Sequence, residues 1–106
     1  MSESFAEFLT IANQEGTPLS FYAFSITNDL LKAFSKIPEL PAPAFSADGE
    51  GGLSLEWVNN NKRINVVIPG NSSWMQYVYI QEGEEDSIDR DLSAENIINK
   101  LKWLTQ

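Results

Sequence analysis

Hydrophobic positions recur along the chain in two periods, and the switch between them separates helical from extended stretches. Phe5, Phe8, Leu9 and Ala12 share one face at helical spacing, which predicts a helix over 4–15. Ser4 and Glu7 stand at capping-box spacing at its start, and Gly16 is a suitable stop. Leu19, Phe21, Tyr22, Phe24 and Ile26 fit parts of both periods. Their aromatic content favours an extended segment over 19–26, although Pro18 in a first turn would favour a helix. Leu30, Leu31, Phe34 and Ile37 form the next stripe. With Thr27 as N-cap and Asp29 in the first turn, they predict a helix over 27–37 that ends before Pro38. Pro38, Pro41 and Pro43 then impose an extended connector.

Beyond the connector the period becomes two. Phe45 is the first candidate for a sheet, and Asp48 to Gly52 form a turn cluster. Leu53, Leu55 and Trp57 alternate with Ser54 and Glu56, predicting a half-buried strand over 53–58. Asn59-Asn60-Asn61-Lys62 is a hairpin turn, because Asn tolerates positive φ better than most residues. Ile64, Val66 and Ile68 mark a strand over 63–68, and Pro69 to Ser72 turn again. A third strand is expected over 74–81, with Met75, Tyr77 and Tyr79 on one face and Trp74, Val78 and Ile80 on the other. Large apolar groups on both faces predict cover on both sides. Glu82 to Asp91 reads as a solvated loop. Ser93 caps a final helix over 93–104, with Glu95 in its first turn and Ile97, Ile98, Leu101 and Leu104 on its apolar stripe. Lys100 and Lys102 lie toward the end that favours cations. The elements predict one α+β domain over 1–106: an antiparallel three- to four-stranded meander packed against N-terminal helices and a C-terminal helix.

Ser25-Ile26-Thr27-Asn28-Asp29-Leu30-Leu31, Ile37-Pro38, Pro41-Ala42-Pro43 and the run from Asp48 to Trp57 carry a resemblance. Together they resemble a recurring group of small uncharacterised bacterial proteins with a Gly-Gly-aliphatic-x-Leu-Glu-Trp strand, here Gly51 to Trp57. The likeness covers roughly residues 25 to 80. The extra Glu50-Gly51 departs from the group's pattern and lengthens the turn. The resemblance implies an α+β fold and no particular activity.

Composition narrows the chemistry. A chain of 106 residues is one domain's worth, and 42% hydrophobic with 21% charged residues is a globular composition rather than a disordered one. With no Cys and no His, disulfides, zinc ribbons, iron–sulfur sites, thiol nucleophiles and Ser-His-Asp triads are excluded within the chain. No apolar run approaches the ~20 residues that span a bilayer. Met1-Ser2-Glu3-Ser4 does not open a signal peptide, so a cytoplasmic location is expected. Net charge is −8, and the seven basic residues are scattered apart from Lys62-Arg63, which opposes direct binding to a nucleic-acid backbone or a membrane surface. Gly49 to Gly52 is not a phosphate loop: it lacks the Lys-Ser/Thr ending and precedes a strand. No cofactor is expected.

Candidate sites remain on carboxylates and aromatics. Glu82, Glu84, Glu85, Asp86, Asp89 and Asp91 are opposed only by Arg90. Such a run is a solvated loop, a patch for a basic partner, or a divalent-cation site, although EF-hand spacing is absent. Trp57 and Trp103 fall on core stripes, and Trp74, after a turn, is the aromatic expected to be exposed. The expected function is a non-enzymatic protein-binding or regulatory module, antitoxin-, immunity- or inhibitor-like. It would meet a basic protein surface through Glu82, Glu84, Glu85 and Asp86, with Trp74 and Tyr79 as anchors. The alternative is a carboxylate-based or metal-assisted enzyme using Asp48, Glu50 and Glu56, although alternation alone accounts for a polar residue at position 56. The chain is expected to be a monomer or a homodimer.

Overall fold

Leu53, Leu55 and Trp57 on one strand and Ile64, Val66 and Ile68 on the next are buried, whereas the residues between them are partly or fully exposed. That alternation gives the sheet one dry face, which the helices cover. The computed structural model describes residues 5–106. Its elements are α1 (Phe5–Gln14), α2 (Phe21–Phe34), β1 (Ala44–Ala47), β2 (Leu53–Asn59), β3 (Lys62–Ile68), β4 (Tyr77–Glu82), β5 (Glu85–Asp89) and α3 (Ala94–Leu104). The strands form one antiparallel meander in the order β1-β2-β3-β4-β5. The expected α+β class holds, with five strands rather than three or four.

One core lies between the sheet and the helices. It joins Phe8 and Ala12 of α1, Ala23, Leu30 and Phe34 of α2, and Ile97, Leu101 and Leu104 of α3 to the dry face. Phe8 stacks on Phe45 and Phe5 meets it at a tilt, both with ring centroids 5.4 Å apart, and Phe5 stacks on Phe24 at 5.9 Å, so four aromatics tie α1 to β1 and α2. The indole of Trp57 meets Phe34 edge-on at 6.0 Å and donates from Nε1 to the Pro41 carbonyl at 2.9 Å. A buried Trp thereby keeps its polar atom satisfied and anchors the proline connector.

Several expected elements shift. The segment 19–26 is helical from Phe21, not extended, and the second helix covers 21–34 rather than 27–37. Ser20, not Thr27, is its N-cap, accepting from the Ala23 amide at 3.0 Å. Its buried stripe is Ala23, Thr27, Leu30 and Phe34. Phe21 and Phe24 mimic a strand pattern because neither lies on the buried stripe: Phe21 is 84% exposed, and Phe24 packs sideways on Phe5 of α1. The helix tightens into 3₁₀-type bonds after Phe34, with Lys36 and Ile37 amides donating to Ala33 and Phe34 carbonyls, before Pro38. The third expected strand starts at Tyr77, not 74. The Asn71 side chain accepts from the Ser73 amide at 2.9 Å and its carbonyl from Trp74, so the turn extends through Trp74. The acidic stretch 82–91 is no loop: Gly83, at φ 61°, turns the chain into β5. Cover on both sides of β4 is not found, for Tyr77 and Tyr79 face away from the helices. The proposed Ser4–Glu7 cap lies partly outside the described residues; Gly16 does end α1 at positive φ. The Asn hairpin and the Ser93-capped helix stand where expected, with Asn60 at φ 56°.

The glycine cluster is structural. The Ser20 amide donates to the Gly51 carbonyl at 2.8 Å, and Gly70 packs against Glu50 and Gly51 so closely that a Cβ there would overlap the Glu50 carbonyl oxygen. At Gly52 a Cβ would lie 2.6 Å from the Ile68 carbonyl oxygen. Three backbone segments thus meet where only glycine fits.

Gly70→Ala is expected to lower stability by about 1–3 kcal/mol in urea unfolding, as overpacking against backbone does. Thr27 is fully buried and its Oγ1 has no partner. Thr27→Val, of equal shape, is therefore expected to raise stability by about 1 kcal/mol in the same assay; a loss would mean that the hydroxyl is satisfied in solution.

Candidate functional site

With every helix on one side, the other side of the sheet faces outward. Ladder registers place its residues in rows. Glu56, Asn65, Tyr79 and Ile88 form one row across β2 to β5, and Val58, Arg63, Gln81 and Asp86 form the next. The face is mixed in chemistry. Val58 and Ile88 are 56% and 59% exposed. Arg63 Nε lies 3.8 Å from Glu56 Oε2 on the diagonal, an ion pair without a hydrogen bond. Tyr79 donates its hydroxyl to Asp86 at 3.1 Å. Partial burial and that bond raise the phenol pKa above its ordinary value, against the opposing pull of Arg63. Between Glu56 and Tyr79, Asn65 Oδ1 is enclosed and accepts no hydrogen bond.

The acidic run divides into two jobs. Asp89 lies on the helix side, opposite Val78. Its Oδ2 accepts from Lys100 at 2.8 Å and from Asn96 at 3.1 Å, and its Oδ1 from the Asp91 amide at 3.0 Å. Asp91 accepts from the Ser93 amide at 2.9 Å and leads into the α3 cap. These two carboxylates dock α3 on β5. Glu82, Glu84, Glu85 and Asp86 project from the β4–β5 hairpin, and among the described residues no cation lies within ion-pair distance of them. Glu82 and Glu85 stand directly opposite each other, an unfavourable arrangement. Lys62 is the cross-strand neighbour of Glu82. Its ammonium instead donates to the Trp103 and Gln106 carbonyls at 3.0 and 3.4 Å and lies 4.9 Å from the Trp103 ring centre.

The expected partner-binding set is therefore split. Tyr79 and Asp86 share the open face, whereas Glu82 and Glu85, in register with Lys62, lie on the helix side of the hairpin and Glu84 sits at its turn. Trp74, 47% exposed, sits before β4 begins, at the end opposite the hairpin, roughly 17–20 Å away by strand length. Exposed Met75 lies beside it. The alternative carboxylate set does not converge. Asp48 Oδ1 accepts from the Glu50 and Gly52 amides at 2.7 and 2.9 Å, holding its own turn, whereas Glu56 lies four residues along β2 from Gly52, about 13 Å away. Among the described residues no three acidic side chains cluster as metal ligands, and no helix is long and apolar enough to cross a membrane. Two features escape sequence reasoning, the orphan Asn65 and the open-face apolar pair Val58 and Ile88. The face of β5 is readable only once Gly83 is recognised as a hairpin turn.

Bonds from Lys100, Asp91 and Asn96 hold the Asp89 carboxyl down to about 2, against an ordinary value of 3.8. A lowered folded-state pKa contributes stability that is complete above the ordinary value and disappears as pH falls through the folded one. Acid unfolding followed by circular dichroism is thus expected to show a loss of stability between pH ~4 and ~2 that Asp89→Asn removes. An unchanged acid profile in that variant would exclude the Asp89 clasp as its source.

No protein-family model, no curated protein and no solved structure matches the chain.

Proposed function

We propose that the chain is a non-enzymatic protein-binding module of a regulatory kind, antitoxin-, immunity- or inhibitor-like, that docks on a basic protein surface with its β4–β5 hairpin and the adjoining open face. The observation that carries this reading is the uncompensated charge of Glu82, Glu84, Glu85 and Asp86, with the nearest lysine engaged by α3. A self-repelling cluster of this kind opposes folding and favours a cationic partner by long-range steering.

The neighbouring face supports the same reading. Tyr79, Val58 and Ile88 offer apolar and aromatic area beside an acidic rim, the layout of a modest interface. Trp74 and Met75 belong to a second, separate surface at the other end.

The test is capture of a partner by the tagged chain, followed by calorimetry with the purified partner at low and moderate salt. Replacing Glu84, Glu85 and Asp86 by Gln, Gln and Asn is expected to weaken binding by at least about tenfold at low salt and to flatten its salt dependence. Unchanged affinity and an unchanged salt slope would exclude the hairpin as the docking element.

A further inference from the structure

The first edge of the sheet is shorter than its neighbour. β1 pairs with β2 only from Ala44↔Glu56 to Ala47↔Leu53, while β2 continues to Asn59. In this register Pro43 falls opposite Trp57 with its nitrogen turned away from β2, so its missing N–H does not end the ladder; the Trp57 indole, which takes the Pro41 carbonyl, draws the connector aside before Ala42 can pair with Val58. Beyond Ala44 the edge of β2 is left without a strand beside it.

The ladder tells which backbone groups are exposed there. A two-residue turn joins Asn59 to Lys62, so the amides of Asn59, Trp57 and Leu55 face β3. Those of Val58, Glu56 and Ser54 face the other way, in step with the Asp48 amide donating to the Gly52 carbonyl. Val58 N–H and C=O therefore point past the end of β1. Among the described residues no backbone hydrogen bond joins them to 41–43. An unpaired strand edge of this sort is a template for another strand.

The space in front of it is a cleft of about 690 Å³, within the size range of ligand sites. Pro41, Pro43 and Leu104 give it apolar walls, and Glu56 and Val58 line it from β2. The Glu56 carboxylate is half-exposed and only loosely held by Arg63 at 3.8 Å, so it is open to a stronger cationic partner.

We infer that this cleft takes a short extended peptide that continues the sheet along β2, with a Lys or Arg opposite Val58 reaching diagonally to Glu56. Cross-strand diagonals of about 7–8 Å are within reach of such long side chains. The flanking residues of the peptide, alternating to the other side, meet Pro41 and Ala42, the exposed apolar residues of the connector. Selectivity for a basic over an acidic residue follows from Glu56. This site is distinct from the hairpin and does not depend on it.

The test uses the full ¹⁵N-labelled chain carrying the Glu84→Gln, Glu85→Gln and Asp86→Asn changes, so that hairpin attraction is removed. The probes are the blocked pentapeptides acetyl-Val-Thr-Lys-Thr-Val-amide and its Glu counterpart. Saturable amide shifts centred on Val58, Glu56, Leu104 and Thr105 are expected with the Lys peptide, and binding about tenfold weaker with the Glu peptide. Glu56→Gln is expected to abolish that preference. Val58→Pro removes an outward N–H that the β2–β3 ladder does not use, and is expected to abolish binding. Absence of saturable shifts at the cleft at millimolar peptide, or a preference that survives Glu56→Gln, would overturn the inference even if Val58→Pro failed to fold.

Discussion

Seven apolar side chains of β2, β3 and β4 leave water on one side of the sheet: Leu53, Leu55, Trp57, Ile64, Val66, Ile68 and Val78. At about 1.5–3 kcal/mol for each buried side chain, their gross contribution is as large as the whole net stability of an ordinary domain. The molecule cannot give up this burial and stay folded. All three helices are drawn to that face, and the opposite face is left to Glu56, Arg63, Asn65, Tyr79 and Ile88. The open face is thus a by-product of the core.

Attaching α3 has a second consequence. Its C-terminal carbonyls are held by Asn59, which donates to Leu104 at 2.7 Å, and by Lys62, and its first turns are held to β5 by the Asp89–Lys100 bridge. Two of the few lysines are engaged in this way. The exposed hairpin carboxylates keep their charge uncompensated because Lys62 serves the helix and Arg63 lies against Glu56. Charge on the hairpin and stability of the helix are therefore linked through Lys62, which stands beside both.

The proline connector shapes the opposite edge. Trp57 is buried for its hydrophobic area, but its N–H requires an acceptor, and the Pro41 carbonyl supplies it. The connector is pulled off the ladder at the point where β2 still has three residues to run. A core requirement and an edge vacancy arise from one side chain.

The alternating strands 53–58 and 63–68, the Asn hairpin and the Ser93-capped helix were legible from residue order alone, because period, turn chemistry and capping act within a few residues of one another. The start of α2 was not. Its Phe21, exposed, and Phe24, packed on α1, lie off the buried stripe and break the amphipathic pattern, and the buried Thr27 imitates a cap. β5 was equally hidden, since Glu-Asp-Ser-Ile-Asp has little strand preference and is held by its ladder with β4 and the Asp89 clasp. Of the candidate site, the carboxylates were visible as a run, but not the division between those that bind α3 and those that project.

The sequence by itself determined the class of fold, the acidic charge and the absence of cysteine and histidine chemistry, for these depend on composition and on local periodicity. Only the tertiary structure decided that Trp74 stands apart from the acidic hairpin, that Asp48 and Glu56 lie far apart, that Lys62 turns to α3 rather than to Glu82, and that β2 outruns β1. Those outcomes depend on which strands and helices meet across distances in the chain that no local pattern spans.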